Sequence, residues 1–275
     1  MWHNIITYFS TLDERPLERM AFLTGGMLLF WILEGAIPLL TLRFRKTRAR
    51  HAAVNFGLTI IHLVIHTFLA IIIIRLSDWC AANQFGVVYW LHAGVAGTIL
   101  LTILIVDFFG GWTVHIIEHK LRPLWIFHVV HHADTSVDVT TGLRHHPVES
   151  VVRGVFFFIG IVVSGAPMYA VMIYQTVLVF FTAFEHANIR LPKWLDTGMS
   201  FVFISPNMHK VHHHWKQPYT DSNYGAIFSI WDRLLGTYRH LEPDQLRYGI
   251  DKDFPEEKDE NFGQLLKNPF QKKTS

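Results

Sequence analysis

The sequence predicts an all-α integral-membrane protein. About four transmembrane helices, plus helical hairpin geometry, are expected to carry a cytoplasmic, histidine-rich helical cap that holds a di-metal site. Three observations support this expectation. The chain of 275 residues is 51% hydrophobic and only 17% charged, with a positive mean hydropathy, which is too apolar for an ordinary soluble domain. Its apolar residues gather into runs of about twenty, the length needed to cross a hydrocarbon core of roughly 30 Å. Twelve of its 18 histidines fall between His115 and His214, in spaced groups.

The first 19 residues are mixed and polar and lack the basic region that opens a cleaved signal peptide. The first span runs from Met20 to Leu42, interrupted by Glu34. An ionised carboxylate facing lipid would cost about 2.5–3.5 kcal/mol, so Glu34 is expected to face a partner or to be protonated. A basic loop follows (Arg43, Arg45, Lys46, Arg48, Arg50) and is assigned to the cytoplasm by the positive-inside rule. The second span covers Val54 to Ile74 and the third Gly86 to Val106, so the chain is cytoplasmic from Asp107, where the histidine groups begin. Residues 151–184 are too long for one upright helix and carry Gly165, Ala166 and Pro167 near their middle. A hairpin turning near Pro167 fits them and returns His186 to the cytoplasmic side. From Glu242 the chain is polar and reads as a soluble tail. Three regions result: spans at 1–106, a histidine-bearing region at 107–241 with the hairpin inside it, and a tail at 242–275. No internal repeat or low-complexity segment is visible.

A net charge of +2 offers no bulk basic surface for nucleic acid. The one cysteine, Cys80, excludes an internal disulfide and a thiolate-rich metal site, which leaves nitrogen and oxygen ligands. Neutral imidazole is a common ligand for iron, zinc and copper. On a helix, His115 and His119 (HIIEH) share a face, with Cβ atoms about 5–6 Å apart. In HVVHH, His128 shares a face with His131, and His132 lies beside it. HKVHHH repeats that pattern with His209, His212 and His213. These eight imidazoles suffice for two metals with open positions, as a catalytic site requires. HIIEH places its glutamate at the fourth position, so the HExxH zinc-protease arrangement is excluded. Asp138, Glu149, Asp221 and Asn223 flank the ligand groups and are candidates to orient imidazoles through the distal N–H. His145 and His214 stand beside better-spaced histidines and are left out of the site. His62 and His66 also form an HxxxH pair, inside the second span. They line a substrate path, bind haem with His92, or make a polar helix–helix contact, the reading favoured here.

From about Asp107 to Arg239 the chain resembles the fatty acid hydroxylase superfamily, often called sterol desaturase family proteins. HIIEH, LWIFHVVHH and DVTTGLRHHPVE resemble its first block, EHANIRLP its middle block, and SPNMHKVHHHWKQPYTDSNYGAIFSIWDRLLGTYR its last. The N-terminal spans, with Glu34, Pro38, the basic loop and Asn55, are similar to bacterial members. The resemblance implies a membrane-bound non-haem di-iron oxygenase that hydroxylates or desaturates a lipid. It would use dioxygen and two electrons from a separate donor of cytochrome b5 or ferredoxin type. Carried over residue by residue, the ligands would be His115, His119, His128, His131, His132, His186, His209, His212 and His213, with His146 as a tenth. Members that hydroxylate fatty acids at carbon 2 have a further histidine where this chain has Thr182, which weakens that assignment. Zinc is possible in isolated protein, since histidine ligands alone do not choose iron over zinc. A zinc-dependent non-redox enzyme on the same scaffold and a membrane metal-ion transporter or storage protein are the competing readings. A transporter is expected to place its ligands at the bilayer midplane in broken helices, whereas here the histidines flank the spans. The expected location is a bacterial inner membrane, or the endoplasmic reticulum if the source is eukaryotic. The C-terminal Lys272-Lys273-Thr274-Ser275 resembles a dilysine retrieval signal, and chance explains it better in a bacterium.

Overall fold

The structure is a computed structural model that describes residues 1–44, 47–250 and 261–270. Arg45 and Lys46 of the basic loop and the stretch from Lys272 to Ser275 lie outside the described residues. Among the described residues there are helices and three isolated β-bridges but no strand. Helix α1 (Trp2–Ser10) precedes α2 (Pro16–Ala36), which starts on a proline at its first turn. Helix α3 (Arg48–Asn83) is capped by the Thr47 side chain, which accepts from the Arg50 N–H. A short α4 (Val87–Trp90) leads to α5 (Val95–Asp107), which continues through a π-helical turn, Phe108–Thr113, into α6 (Val114–Lys120). Helix α7 (Arg122–His132) follows, then the hairpin of α8 (Pro147–Ser164) and α9 (Met168–His186). Short helices α10 (Lys193–Met199), α11 (Pro206–His212), α12 (Ile230–Leu234) and α13 (Phe262–Lys267) complete it.

Among the described residues five helices are long and apolar enough to cross a membrane, the three expected spans and the two arms of the expected hairpin. Helix α8 packs against α3 and α5, and α9 against α2, α5 and α1. Leu28, Leu29 and Ile32 on α2, and Ile60, Leu63, Val64, Phe68, Ile71 and Ile72 on α3, point outward and are exposed, as a lipid-facing surface requires. The hairpin turns where its sequence signals stand. Gly165 closes α8 with φ +75°, and Pro167 caps α9. Gly86 (φ +109°) packs on this turn so closely that a Cβ there would meet the Gly165 nitrogen at 2.3 Å.

The third span departs from the expectation at both ends. It begins at Val95 rather than Gly86, since Gly86–Gly94 fold into α4 and a turn, and it does not stop at Val106. The helical rod runs on through the π turn to Lys120 and so carries His115 and His119 itself. Leu265 of α13 is buried in a cluster with Val54, Leu58 and Val130, which brings residues 261–270 back onto α3 and α7.

A buried polar network ties the first two spans to the loop between α7 and α8. Glu34 accepts from the backbone N–H of Val139 (2.7 Å) and of Asn188 (2.9 Å) and pairs with Arg48. His51 meets Asp134 at 2.9 Å, and Asn55 donates to Thr140 at 2.9 Å. This answers the puzzle of Glu34: the carboxylate points into protein, against two backbone donors and a guanidinium.

Candidate metal centre

Nine histidines converge, in two groups. His115 and His119 of α6, His128 and His132 of α7 and His212 of α11 form the first. His131 of α7, His186 at the end of α9, His209 of α11 and the adjoining His213 form the second. In each group one ring nitrogen per residue lies within 4.8 Å of all the others. All nine are at most 8% exposed. Each HxxHH motif is divided between the groups. Its two histidines four residues apart (His128 and His132, or His209 and His213) go to one group, and the histidine between them (His131, or His212) goes to the other.

The local structure sets the ring orientations. His115 Nδ1–H donates to the Tyr224 carbonyl (2.9 Å), His131 to Arg144 (3.2 Å), His186 to Thr182 (2.8 Å) and His212 to Ser222 (2.7 Å). A carbonyl only accepts, so Nδ1 carries the proton in all four. His128 Nδ1 faces Glu149 at 2.7 Å and His119 Nδ1 faces Asp221 at 3.2 Å. The Nε2 atoms then point at one another: His115 to His128 at 3.1 Å, His119 to His132 at 3.1 Å, His131 to His186 at 3.2 Å, and His186 to His209 at 2.9 Å. Burial, followed by neighbouring histidines, holds His128, His131, His132 and His213 well below the usual imidazole pKa, and so also His209 and His212.

The donor set fits a metal pair. In the pairs His115–His128 and His131–His186 both Nδ1 atoms are committed as donors, so two Nε2 lone pairs face each other in a buried site. No hydrogen bond can satisfy that arrangement, and a cation can. Imidazole nitrogens about 2.0–2.1 Å from a metal and at right angles lie about 2.9–3.0 Å apart, close to the separations found. His212 Nε2, buried and without a partner, is a further free donor in the first group.

Other expected residues are placed as follows. Glu149 and Asp221 touch ring nitrogens of the first group, as described. His146 is brought to neither group. Its Nδ1 accepts from the Val148 N–H at the start of α8, and its Nε2 faces the Leu266 carbonyl (3.3 Å), so both nitrogens serve the helix cap and the returning tail. Asp138 accepts from the Thr140 backbone and hydroxyl and lies near Arg48 and His51, so it orders the loop and touches no grouped histidine. Asn223 (φ +53°) binds the Met208 and Arg239 carbonyls and the Arg239 N–H, which fixes the chain after α11. His214 accepts from the Arg247 N–H. His62 has both ring nitrogens engaged, by Ser150 Oγ and the His145 carbonyl, which removes it from haem ligation, and His92 is exposed in the turn after α4.

The sequence reading missed several contributors. His145, left out, stacks on His131 (centroids 4.4 Å apart) and faces the Glu149 carboxylate at 3.1 Å. Buried Lys210 donates to the Glu185 and His186 carbonyls at the end of α9. Burial pushes its pKa down to about 7. Asp107 accepts from Ile227, Phe228 and Trp231, and Asp232 from Tyr224, Gly225 and Trp112, so two carboxylates hold the segment that supplies the Tyr224 carbonyl. Glu118, inside HIIEH, stood in plain view: it meets Arg153 at 2.6 Å. The four orienting carbonyls leave no mark in a sequence, because any residue type supplies one.

A cavity of about 220 Å³ opens beside both groups. His115, His131, His186 and His209 face it on one side, and Leu69, Ile73, Phe157, Phe158 and Leu178 line it within the helix bundle.

The fold and site define a multi-pass helical membrane protein with paired histidine clusters at the ends of its spans. The chain belongs to the fatty acid hydroxylase family, whose profile matches residues 99–237, half of its length. It is similar to an ornithine lipid hydroxylase of Rhizobium tropici, 28% identical over 50% of this chain and 40% of the relative. It is also similar to the alkylglycerol monooxygenases of Danio rerio, 31% identical over 56% of this chain and 33% of the relative, and of Xenopus tropicalis, 30% identical over 54% and 32%. The chain therefore spans about a third to two fifths of the length of these relatives. No solved structure matches it.

Proposed function

We propose that this protein is a membrane-bound non-haem di-iron oxygenase that hydroxylates or desaturates a lipid with dioxygen and two electrons from a separate donor. The observation that carries the reading is the pair of buried histidine groups, their Nε2 lone pairs facing each other beside a largely apolar cavity. The names of the relatives, lipid hydroxylases and monooxygenases, support the same class. In this reading the first group would be held by His115, His119, His128, His132 and His212, and the second by His131, His186, His209 and His213. Iron bound there would supply the activation of dioxygen, which no side chain of this protein can perform.

The protein's own part is placement. Glu149, Asp221 and the four backbone carbonyls fix the tautomer and direction of their imidazoles. The apolar wall of Leu69, Ile73, Phe157, Phe158 and Leu178 excludes water and accepts a hydrocarbon chain from the bilayer. Basic residues between α2 and α3 put this end of the spans in the cytoplasm, where a soluble or membrane-anchored electron donor reaches it.

Elemental analysis with Mössbauer spectroscopy of gently purified protein tests this. About two irons per chain, in line with the two donor groups, with a coupled di-ferric signal and oxygen uptake on reduction in the presence of lipid extract, is the expected result. Zinc alone, unchanged after anaerobic iron reconstitution, overturns it in favour of a non-redox enzyme.

A further inference from the structure

A second exposed apolar surface stands outside the five spans. Trp194 on α10, Phe201 and Val202 after it, and Leu234 and Leu235 at the end of α12 are 44–76% exposed. Asp232 of α12 points the other way, buried and accepting from the Tyr224 and Gly225 N–H groups. The cations beside the patch suit a headgroup layer: the Lys193 side chain is 81% exposed next to Trp194, and the Arg233 guanidinium lies 4.6 Å from the centre of the Phe201 ring. An apolar patch of this kind on a membrane protein calls for an occupant.

Two spans gauge its depth, and they agree. Helix α9 has 19 residues, about 28 Å at a rise of about 1.5 Å each, which matches the hydrocarbon core. Phe181, five residues before His186, is therefore about 7 Å inside that core, and Phe203 stacks on it with centroids 5.5 Å apart. The rod from Val95 to Lys120 has 26 residues, about 39 Å, and overshoots the core by about 9 Å. Phe108, twelve residues before Lys120, is about 18 Å back along the rod and so about 9 Å inside, and Trp231 of α12 packs on it at 5.1 Å. The lipid-facing surface of α9, where Phe180 is 45% exposed, thus continues onto the patch. The backbone meets the demand of that depth. From Ser200 to Ile204 every N–H donates to a protein carbonyl, at 2.8–3.4 Å, with Ile204 reaching across to Ile227. Non-helical chain in hydrocarbon has no water to bond and must be satisfied in this way.

We infer that this surface is a lipid contact: α10, α12 and the chain at Phe201–Phe203 are seated in the leaflet on the histidine side without crossing it. The inference needs the membrane spans but neither a metal nor a reaction. The seated segment also carries part of the site. Ile204 leads through Ser205, whose side chain accepts from Met208 N–H, into α11 and His209. Ile227, its backbone partner, leads back to Tyr224, whose carbonyl orients His115. The leaflet therefore bears the floor on which histidines of both groups stand.

Spin labels test the depth directly. Phe201→Cys and Leu234→Cys, both at exposed positions, are labelled one at a time in the full chain in phospholipid nanodiscs. Paramagnetic resonance then reads collisions with oxygen and with a water-soluble nickel chelate. Cys80 is buried, and the unsubstituted chain serves as the labelling blank. Phe180→Cys on α9 is the lipid reference, and Arg122→Cys, beyond the end of the rod, is the water reference. The expected result is that both labels favour oxygen over nickel, as Phe180→Cys does, at a depth of about 5–10 Å. Labels that favour nickel, as at Arg122→Cys, overturn the inference, because the surface then stands in water. Labels shielded from both reagents overturn it as well and assign the surface to a protein partner or a second copy of this chain. If Phe180→Cys itself reads as water, the membrane reading fails and the inference falls with it.

Discussion

Replacing Glu34 with alanine tests the lock that joins the first span to the histidine-bearing segments. The carboxylate is 2% exposed on its side chain and its Arg48 partner 31%. Its Oε2 accepts two backbone N–H groups, from Val139 and Asn188, on the segments that follow His132 and His186. Alanine leaves both donors buried and unpaired, at about 1–3 kcal/mol each. Arg48 is nearly a third open to solvent, so its loss of partner adds little. The total is a loss of about 2–6 kcal/mol, on the order of 10 °C in the midpoint for a chain of this size. Glu34→Gln retains an oxygen for the backbone donors and is expected to lose less than half as much. Thermal unfolding of the metal-free protein in detergent, followed by circular dichroism, measures both. If Glu34→Ala falls within about 0.5 kcal/mol of wild type, the range of an unimportant surface change, the lock carries no load and the reasoning is wrong.

Glu149→Gln weakens the hold on the His128 ring and is expected to lower metal affinity about 10–100-fold, the usual effect of losing an orienting carboxylate; competition with a chelator checks it, and an unchanged affinity counts against His128 as a ligand. Acidification of the metal-free protein should destabilise it. The unfolded histidines take up protons near pH 6.5, while His128, His131, His132, His209, His212 and His213 are held below that value in the fold. Stability present above that pH is therefore lost as pH falls through it, and a midpoint flat between pH 7 and pH 5 contradicts the buried, neutral state of these rings. Gly86→Ala should prevent stable folding, since its Cβ would meet the Gly165 backbone at 2.3 Å and φ is +109°; expression at wild-type yield with an unshifted melting curve would show that the α4 turn packs differently.

Spans, hairpin turn and histidine spacing were legible because each has a local cause. A run of about twenty apolar residues has one stable place in a cell, and Gly165 with Pro167 dictates a turn wherever it stands. The end of the third span was not legible. Nothing local stops the rod at Val106, and its continuation through the π turn is decided by the packing of α5 and that turn against α8. The tail looked soluble by composition, yet Leu265 had an apolar seat waiting on α3 and α7.

For the site, the sequence by itself determined the donor chemistry: many imidazoles, no thiolate, at helical spacings. Only the tertiary structure decided how those donors divide. Spacing puts His131 next to His132 and leaves their allegiance open, since neighbouring side chains on a helix diverge by about a quarter turn. Whether His132 joins His115 or His186 depends on where α6, α9 and α11 cross α7. The same holds for His145 and His146, adjacent in the chain. One faces the cavity and the other caps α8, and that difference was settled by the rotation of a helix start against its neighbours, a long-range packing result that no local pattern encodes.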